Sequence, residues 1–115
     1  MGANLRDQND ELNLLSMKIL IHAGNGRDLL VKSLNELEED HFSQSKQMLE
    51  EAHEEIAKAH GLQTQTLQRE ANGQNIRYST LFCHAQDTLM TAQSEILLGE
   101  HLYRLFSKIN TKLTN

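Results

Sequence analysis

Three long segments of the chain carry apolar residues at steps of three and four, which is the pattern of an amphipathic α-helix. The first stripe consists of Leu12, Leu15, Ile19, Ala23, Gly26, Leu30, Leu34 and Leu37. The second contains Phe42, Leu49 and Ile56, with Ser45, Ala52 and Ala59 between them, and resembles a coiled-coil seam. The third contains Tyr78, Phe82, Ala85, Leu89, Ala92, Ile96, Gly99, Tyr103 and Phe106. These stripes predict helices over about residues 8–36, 41–70 and 76–110.

The three segments predict an all-α fold, an antiparallel three-helix bundle that forms a single domain over residues 1–115. The sequence contains no proline, so each helix can run without a kink. The pair Asn72-Gly73 marks a tight connection before the third helix. Gly24 and Gly26 leave two interpretations open: a kink or break after His22, or a close approach of another backbone or of a phosphoryl group.

The third segment has a second face that is too apolar for contact with solvent alone. At about 100° per residue, the side opposite its seam carries Asp87, Thr91, Ser94, Leu98, Leu102 and Leu105. Two apolar faces on one helix predict self-association, with this helix at the centre of the oligomer. Scattered surface leucines on a monomer are the alternative.

Net charge and composition exclude several classes of binding partner and cellular location. The formal charge of −5 and the pI of about 5.6 argue against nucleic acid and against an anionic membrane. The single cysteine, Cys83, excludes an intramolecular disulfide, and the first residues lack the features of a secretion signal. No apolar run approaches the roughly 20 residues of a membrane span. The sequence therefore predicts a soluble cytoplasmic protein that binds a protein or a small ligand.

His84 is the candidate for chemistry among the six histidines. It lies three residues before Asp87, so an imidazole and a carboxylate are neighbours on one helix. Gln86 and Thr88 add polar groups to a stretch that otherwise serves packing. Asp87 could orient the His84 ring, bind a cation beside it, or face another subunit.

Three motifs together resemble a known family. They are His84-Ala85-Gln86-Asp87-x-Leu89-Met90-Thr91, Ala59-His60-x-x-Gln63-Thr64-x-x-Leu67-x-x-Glu70-Ala71-x-Gly73, and Ile21-His22-Ala23-Gly24-Asn25 with Arg27. The chain from about Leu12 to Lys108 resembles the enzyme IIA component of the lactose/cellobiose class of the bacterial sugar phosphotransferase system. Two departures concern turn geometry and not the histidine motif: Gly26 replaces a small residue such as alanine, and Asp40-His41-Phe42 replaces Gly-Asp-Phe.

The resemblance implies a homotrimer of three-helix bundles with a phosphocarrier function. His84 would accept a phosphoryl group from the phosphocarrier protein HPr and pass it to a cysteine of the cognate enzyme IIB. The membrane component, enzyme IIC, would then take up a β-linked disaccharide such as lactose or cellobiose. The resemblance further implies that Asp87 residues from three subunits hold a divalent cation, commonly Mg²⁺, on the trimer axis.

Resemblance and spacing also suggest residues that line the site of His84. These candidates are Gln86, His60, Gln63, Arg27 and Gly24. One rival function is a histidine phosphotransfer domain of two-component signalling, but those four-helix domains typically carry lysine and glycine after the histidine, where this chain has Asp87 and Thr88. Another is a non-catalytic helical adaptor. The sequence does not identify the transported sugar.

Overall fold

Three long helices in up-down-up order make up the fold. The structure is a computed structural model, and residues 5–114 are described. The helices are α1 (Leu5–Glu38), α2 (Phe42–Ala71) and α3 (Thr80–Thr114), packed into a rod of 68 × 21 × 20 Å. The predicted all-α three-helix fold is thus confirmed. Within residues 5–114, no helix is long and apolar enough to cross a membrane.

The start of α3 differs from the prediction. The helix begins at Thr80 because Ser79 caps it: the Ser79 Oγ accepts a hydrogen bond from the Phe82 N–H at 3.1 Å, and the Ser79 carbonyl accepts one from the Cys83 N–H at 3.0 Å. The predicted helix over 76–79 is therefore wrong, and Tyr78 is 79% exposed instead of lying in the seam. At the other end, α3 continues to Thr114, and Phe106 is half exposed.

The core lies along the predicted stripes of all three helices. Its buried members are Leu12, Ile19, Ala23, Leu30, Leu49, Ala52, Ile56, Ala59, Phe82, Ala85, Leu89, Ala92 and Ile96. Polar groups in the core are satisfied locally, since the Ser33 Oγ donates to the Ser45 carbonyl at 2.8 Å. On α2 the buried stripe extends beyond the predicted seam to Gln63 and Thr66.

The two glycines in the middle of α1 have different surroundings, and the helix is continuous through both. A Cβ placed on Gly26 would lie 2.8 Å from the Ile56 Cδ1 and 3.4 Å from the Ala52 carbonyl oxygen. A Cβ on Gly24 would meet no atom within 4 Å. Gly26 therefore permits a close approach of α1 to α2, and the kink or break after His22 is absent.

Histidine–glutamate pairs join neighbouring helices on the outside of the bundle. His22 on α1 pairs with Glu55 on α2 through Nδ1 and Oε2 at 2.7 Å, and His53 on α2 pairs with Glu100 on α3. The hydrogen bond from His22 holds the pKa of Glu55 below its ordinary value, although partial burial of the carboxyl acts in the opposite direction.

Candidate functional site

His84 lies in the second turn of α3, and its side chain is accessible. With Thr80 as the first helical residue, His84 is the fifth, and it is exposed. Its backbone carbonyl accepts a hydrogen bond from the Thr88 Oγ1 at 2.8 Å. Among residues 5–114, no side chain or backbone group forms a hydrogen bond with the His84 ring. An incoming group can therefore reach a ring nitrogen from solvent.

The N-terminal first turn of α3 lies directly before His84 and carries a partial positive charge. Side chains on a helix lean toward its N-terminus, where the helix dipole is positive and the first N–H groups lack helical partners. Ser79 accepts hydrogen bonds from the N–H groups of Phe82 and Cys83. The N–H groups of Thr80 and Leu81 have no backbone acceptor in the described chain. This arrangement favours a negatively charged phosphoryl group on the His84 ring.

Asp87 is exposed on the second face of α3. It forms no hydrogen bond or ion pair with another described residue, and in particular none with His84, so within one chain it does not orient the ring directly. Leu98 and Leu105 lie on the same line of the helix and are 64% and 57% exposed. No group of three or more His, Cys, Asp or Glu side chains within residues 5–114 is placed to hold a metal ion. A cation at Asp87 therefore requires ligands from other chains.

The residues suggested as site lining have other partners within the chain. The Gln63 side chain is buried, and its Nε2 lies 4.0 Å from the Met90 Sδ. Arg27 forms an ion pair with Glu95 at 2.9 Å. The remaining candidates are His60, which is exposed and lies 3.3 Å from the Thr64 Oγ1, Gly24, which borders open space, and Gln86, which is partly buried.

Contacts between helices show how far these candidates lie from His84 along the bundle. The pairs Arg77–Asn13 and Arg27–Glu95 place His84 level with about residue 18 of α1. The pairs Gln63–Met90 and His53–Glu100 place it level with about residue 69 of α2. At 1.5 Å per residue, Arg27 and His60 each lie about 13 Å further along the axis. One chain does not bring them to His84, and their lining role stays a prediction.

The residues of α1 at about the same level as His84 include exposed apolar side chains. Met17 and Ile21 are exposed within about one helical turn of that level. Leu20, between them, is packed partly against the core. At the level of His84, α1 therefore presents exposed apolar side chains to solvent.

Comparison with known proteins identifies the family of this helical scaffold. The profile of the phosphotransferase system lactose/cellobiose-specific IIA subunit matches residues 14–107, which include His84 and Asp87. The chain belongs to this family. It is a lactose/cellobiose-type IIA component of the sugar phosphotransferase system.

Individual IIA proteins agree with this assignment over most of the chain. The lactose-specific EIIA component of Staphylococcus epidermidis is 41% identical over 99 residues, which cover 86% of this chain and 95% of the relative. The lichenan-specific phosphotransferase enzyme IIA component of Bacillus subtilis is 32% identical over 101 residues, with 88% and 92% covered.

Two solved structures superpose on most of this chain. PtcA from S. mutans superposes with a TM-score of 0.85 at 30% identity and covers 91% of this chain and 99% of its own. The cellobiose-specific enzyme IIA from Bacillus anthracis superposes with a TM-score of 0.81 at 28% identity, with 86% and 91% covered. The order and packing of α1, α2 and α3 are thus those of IIA proteins.

Proposed function

We propose that this IIA component is a phosphocarrier that accepts a phosphoryl group from HPr on His84 and passes it to a cysteine of its cognate enzyme IIB. The position of His84 is the observation that carries the proposal. The ring is exposed, it has no hydrogen-bond partner in the described chain, and it lies one turn from the positive N-terminal end of α3. The matched family supplies the class of donor and acceptor.

The chemistry requires a neutral imidazole with one free ring nitrogen. That nitrogen attacks phosphorus, the new N–P bond forms while the bond from phosphorus to the donor breaks, and the donor keeps the electron pair. In the second step the thiolate of enzyme IIB attacks phosphorus, and the N–P electron pair returns to the His84 ring. Positioning and charge stabilisation provide most of the catalysis in phosphoryl transfer. An exposed ring on a chain that also exposes the apolar Met17 and Ile21 at about the same level suits two protein partners that dock in turn.

The assembly that fits the second face of α3 is a homotrimer around that helix. Leu98 and Leu105 are exposed in the single chain on the side of α3 opposite the core, and Leu102 is exposed next to them. Burying each leucine is worth roughly 1.5–3 kcal/mol, so an aqueous environment disfavours leaving this face uncovered. The number of subunits, three, comes from the family resemblance.

Asp87 would hold a divalent cation, Mg²⁺ by resemblance, on the axis of this trimer. Its carboxylate is exposed, has no cationic partner among residues 5–114, and points along the same line as Leu98 and Leu105. Three symmetry-related carboxylates would provide hard oxygen ligands, and the cation would neutralise their repulsion. The ion serves assembly, and the transfer steps use His84.

The substrate that fits the family is a β-linked disaccharide, taken up by membrane enzyme IIC while this component stays in the cytoplasm. The S. epidermidis relative is named lactose-specific and the B. subtilis relative lichenan-specific, so relatives of this chain are named for different sugars. The membrane component, enzyme IIC, recognises the sugar.

Phosphorylation by purified components tests the proposal. We expect incubation with enzyme I, HPr and phosphoenolpyruvate to add one acid-labile phosphoryl group per chain, measured by intact-protein mass spectrometry, and enzyme IIB to remove it. Phosphorylation by a two-component receiver but not by HPr would instead favour a histidine phosphotransfer domain. Failure with both donors would favour a non-catalytic adaptor.

A further inference from the structure

A small cavity lies at the end of the bundle where α2 stops and the segment 74–79 returns to α3. Its volume is about 190 Å³, and its apolar floor is formed by Leu12, Leu15 and Ile76. Pockets for drug-sized ligands usually start at about 300 Å³, so this cavity suits a smaller molecule. His84 is not among the residues that line it.

Two arginines border this cavity. Neutral oxygens accept hydrogen bonds from both, and Arg69 is also paired with the Glu11 carboxylate. The Arg69 Nε donates to the Gln74 Oε1 at 3.2 Å. The Arg77 Nη2 donates to the Asn13 Oδ1 at 3.1 Å, and its Nη1 donates to the Tyr78 carbonyl at 3.1 Å. A guanidinium group has five N–H donors, so each arginine keeps donors for a ligand.

The charge in the cavity is opposite in sign to that of the whole chain. Arg69 and Arg77 provide two positive charges, and the one carboxylate among the lining residues is that of Glu11. Glu11 lies 3.5 Å from the Arg69 Nη2, and Arg77 has no carboxylate partner within residues 5–114. The lining residues therefore carry one net positive formal charge, that of Arg77, in a chain with a formal charge of −5.

We propose that this cavity binds a small phosphate ester, with the phosphate between Arg69 and Arg77 and the carbon skeleton on the apolar floor. The planar guanidinium fork matches the oxygens of a phosphate group, and the bond is charge-assisted. The apolar floor distinguishes an ester from inorganic phosphate, which has no carbon atoms to bury. This binding site is separate from His84 and does not depend on the phosphocarrier function.

Titration of the full-length His84→Gln variant with small ligands tests binding to the cavity alone, because this variant lacks the imidazole proposed to carry phosphate. The probes are glucose 6-phosphate, inorganic phosphate and glucose, and the readouts are amide NMR shifts and calorimetry at low ionic strength. We expect saturable binding of glucose 6-phosphate that shifts the amides of residues 74–77. Inorganic phosphate should bind more weakly, and glucose should not bind.

Arg77→Gln should lower the affinity for glucose 6-phosphate by about tenfold or more, because a charge-assisted pair of hydrogen bonds is lost. Arg77→Lys keeps the charge but not the guanidinium fork. Its affinity for glucose 6-phosphate should lie between that of unchanged Arg77 and that of Arg77→Gln. Arg104→Gln is the matched control, since Arg104 lies on the far part of α3 beside His101. Absence of saturable binding, or equal affinity in the Arg77→Gln and control variants, would overturn the proposal. Equal affinity for inorganic phosphate would overturn the assignment of an ester.

Discussion

The two faces of α3 differ in what covers them, and the difference separates fold from function. On one face Ala85, Leu89 and Ile96 are buried against α1 and α2. On the other, His84, Asp87 and a line of leucines are exposed. The buried face needs only its own chain, whereas the exposed face needs something that the single chain does not provide. Substitutions on the two faces should therefore affect different measurements.

The largest expected effect follows from placing charge on the exposed face. Leu98→Lys combined with Leu105→Lys should dissociate the proposed trimer, because burial of each leucine is worth roughly 1.5–3 kcal/mol and the lysines add repulsion at the axis. Sedimentation velocity would measure the change. Leu89→Ala, on the buried face, is the matched control: it should cost about 2–5 kcal/mol of chain stability through a cavity in the core. Wild-type protein that sediments as a monomer at micromolar concentration would contradict the assembly.

A smaller effect on the same face is expected at Asp87. Asp87→Leu replaces three repelling carboxylates with apolar packing, so the trimer should no longer require a cation. We expect this variant to stay trimeric after treatment with a chelator, whereas the wild type weakens, and to accept phosphate on His84 as before. Sedimentation with and without the chelator measures the first part. If the variant assembles but is not phosphorylated, Asp87 belongs to the transfer chemistry.

The His22–Glu55 pair lies outside both faces of α3, and it should affect stability with a defined dependence on pH. The pKa of Glu55 is lowered by the hydrogen bond from His22. The pair therefore stabilises the fold above the ordinary glutamate pKa of about 4.3, and this stabilisation is lost as the pH falls through the lowered value. Glu55→Gln should reduce stability near neutral pH and flatten the acid limb of the urea-unfolding profile. A profile with an unchanged acid limb would contradict this role.

The smallest expected effects concern the glycines of α1. Gly24→Ala should stabilise the chain by up to about 1 kcal/mol, because alanine favours a helix and the added Cβ meets no atom within 4 Å. Gly26→Ala should stabilise the chain less than Gly24→Ala or should destabilise it, since its Cβ would lie 2.8 Å from the Ile56 Cδ1. Thermal unfolding distinguishes the two variants. If Gly24→Ala also slows phosphorylation of His84, the predicted lining role of Gly24 gains support.

The helices and most of the core could be predicted from the sequence because apolar periodicity directly reflects burial. The start of α3 was missed, although Ser79 followed by Thr80 is a recognisable capping signal before an apolar run. This miss matters for the site, since the later start places His84 near the helix N-terminus. The cavity beside Arg69 and Arg77 could not be predicted, because it depends on where segment 74–79 crosses α1.

Phosphorylation of histidine variants tests most directly the claim that the exposed face of α3 carries the function. His84→Gln, His22→Gln and His60→Gln would each be incubated with enzyme I, HPr and phosphoenolpyruvate, after circular dichroism confirms that all three are folded. We predict that His84→Gln accepts no acid-labile phosphate, whereas the other two accept it as the wild type does. Continued labelling of His84→Gln, with loss of labelling in either of the other variants, would contradict the account.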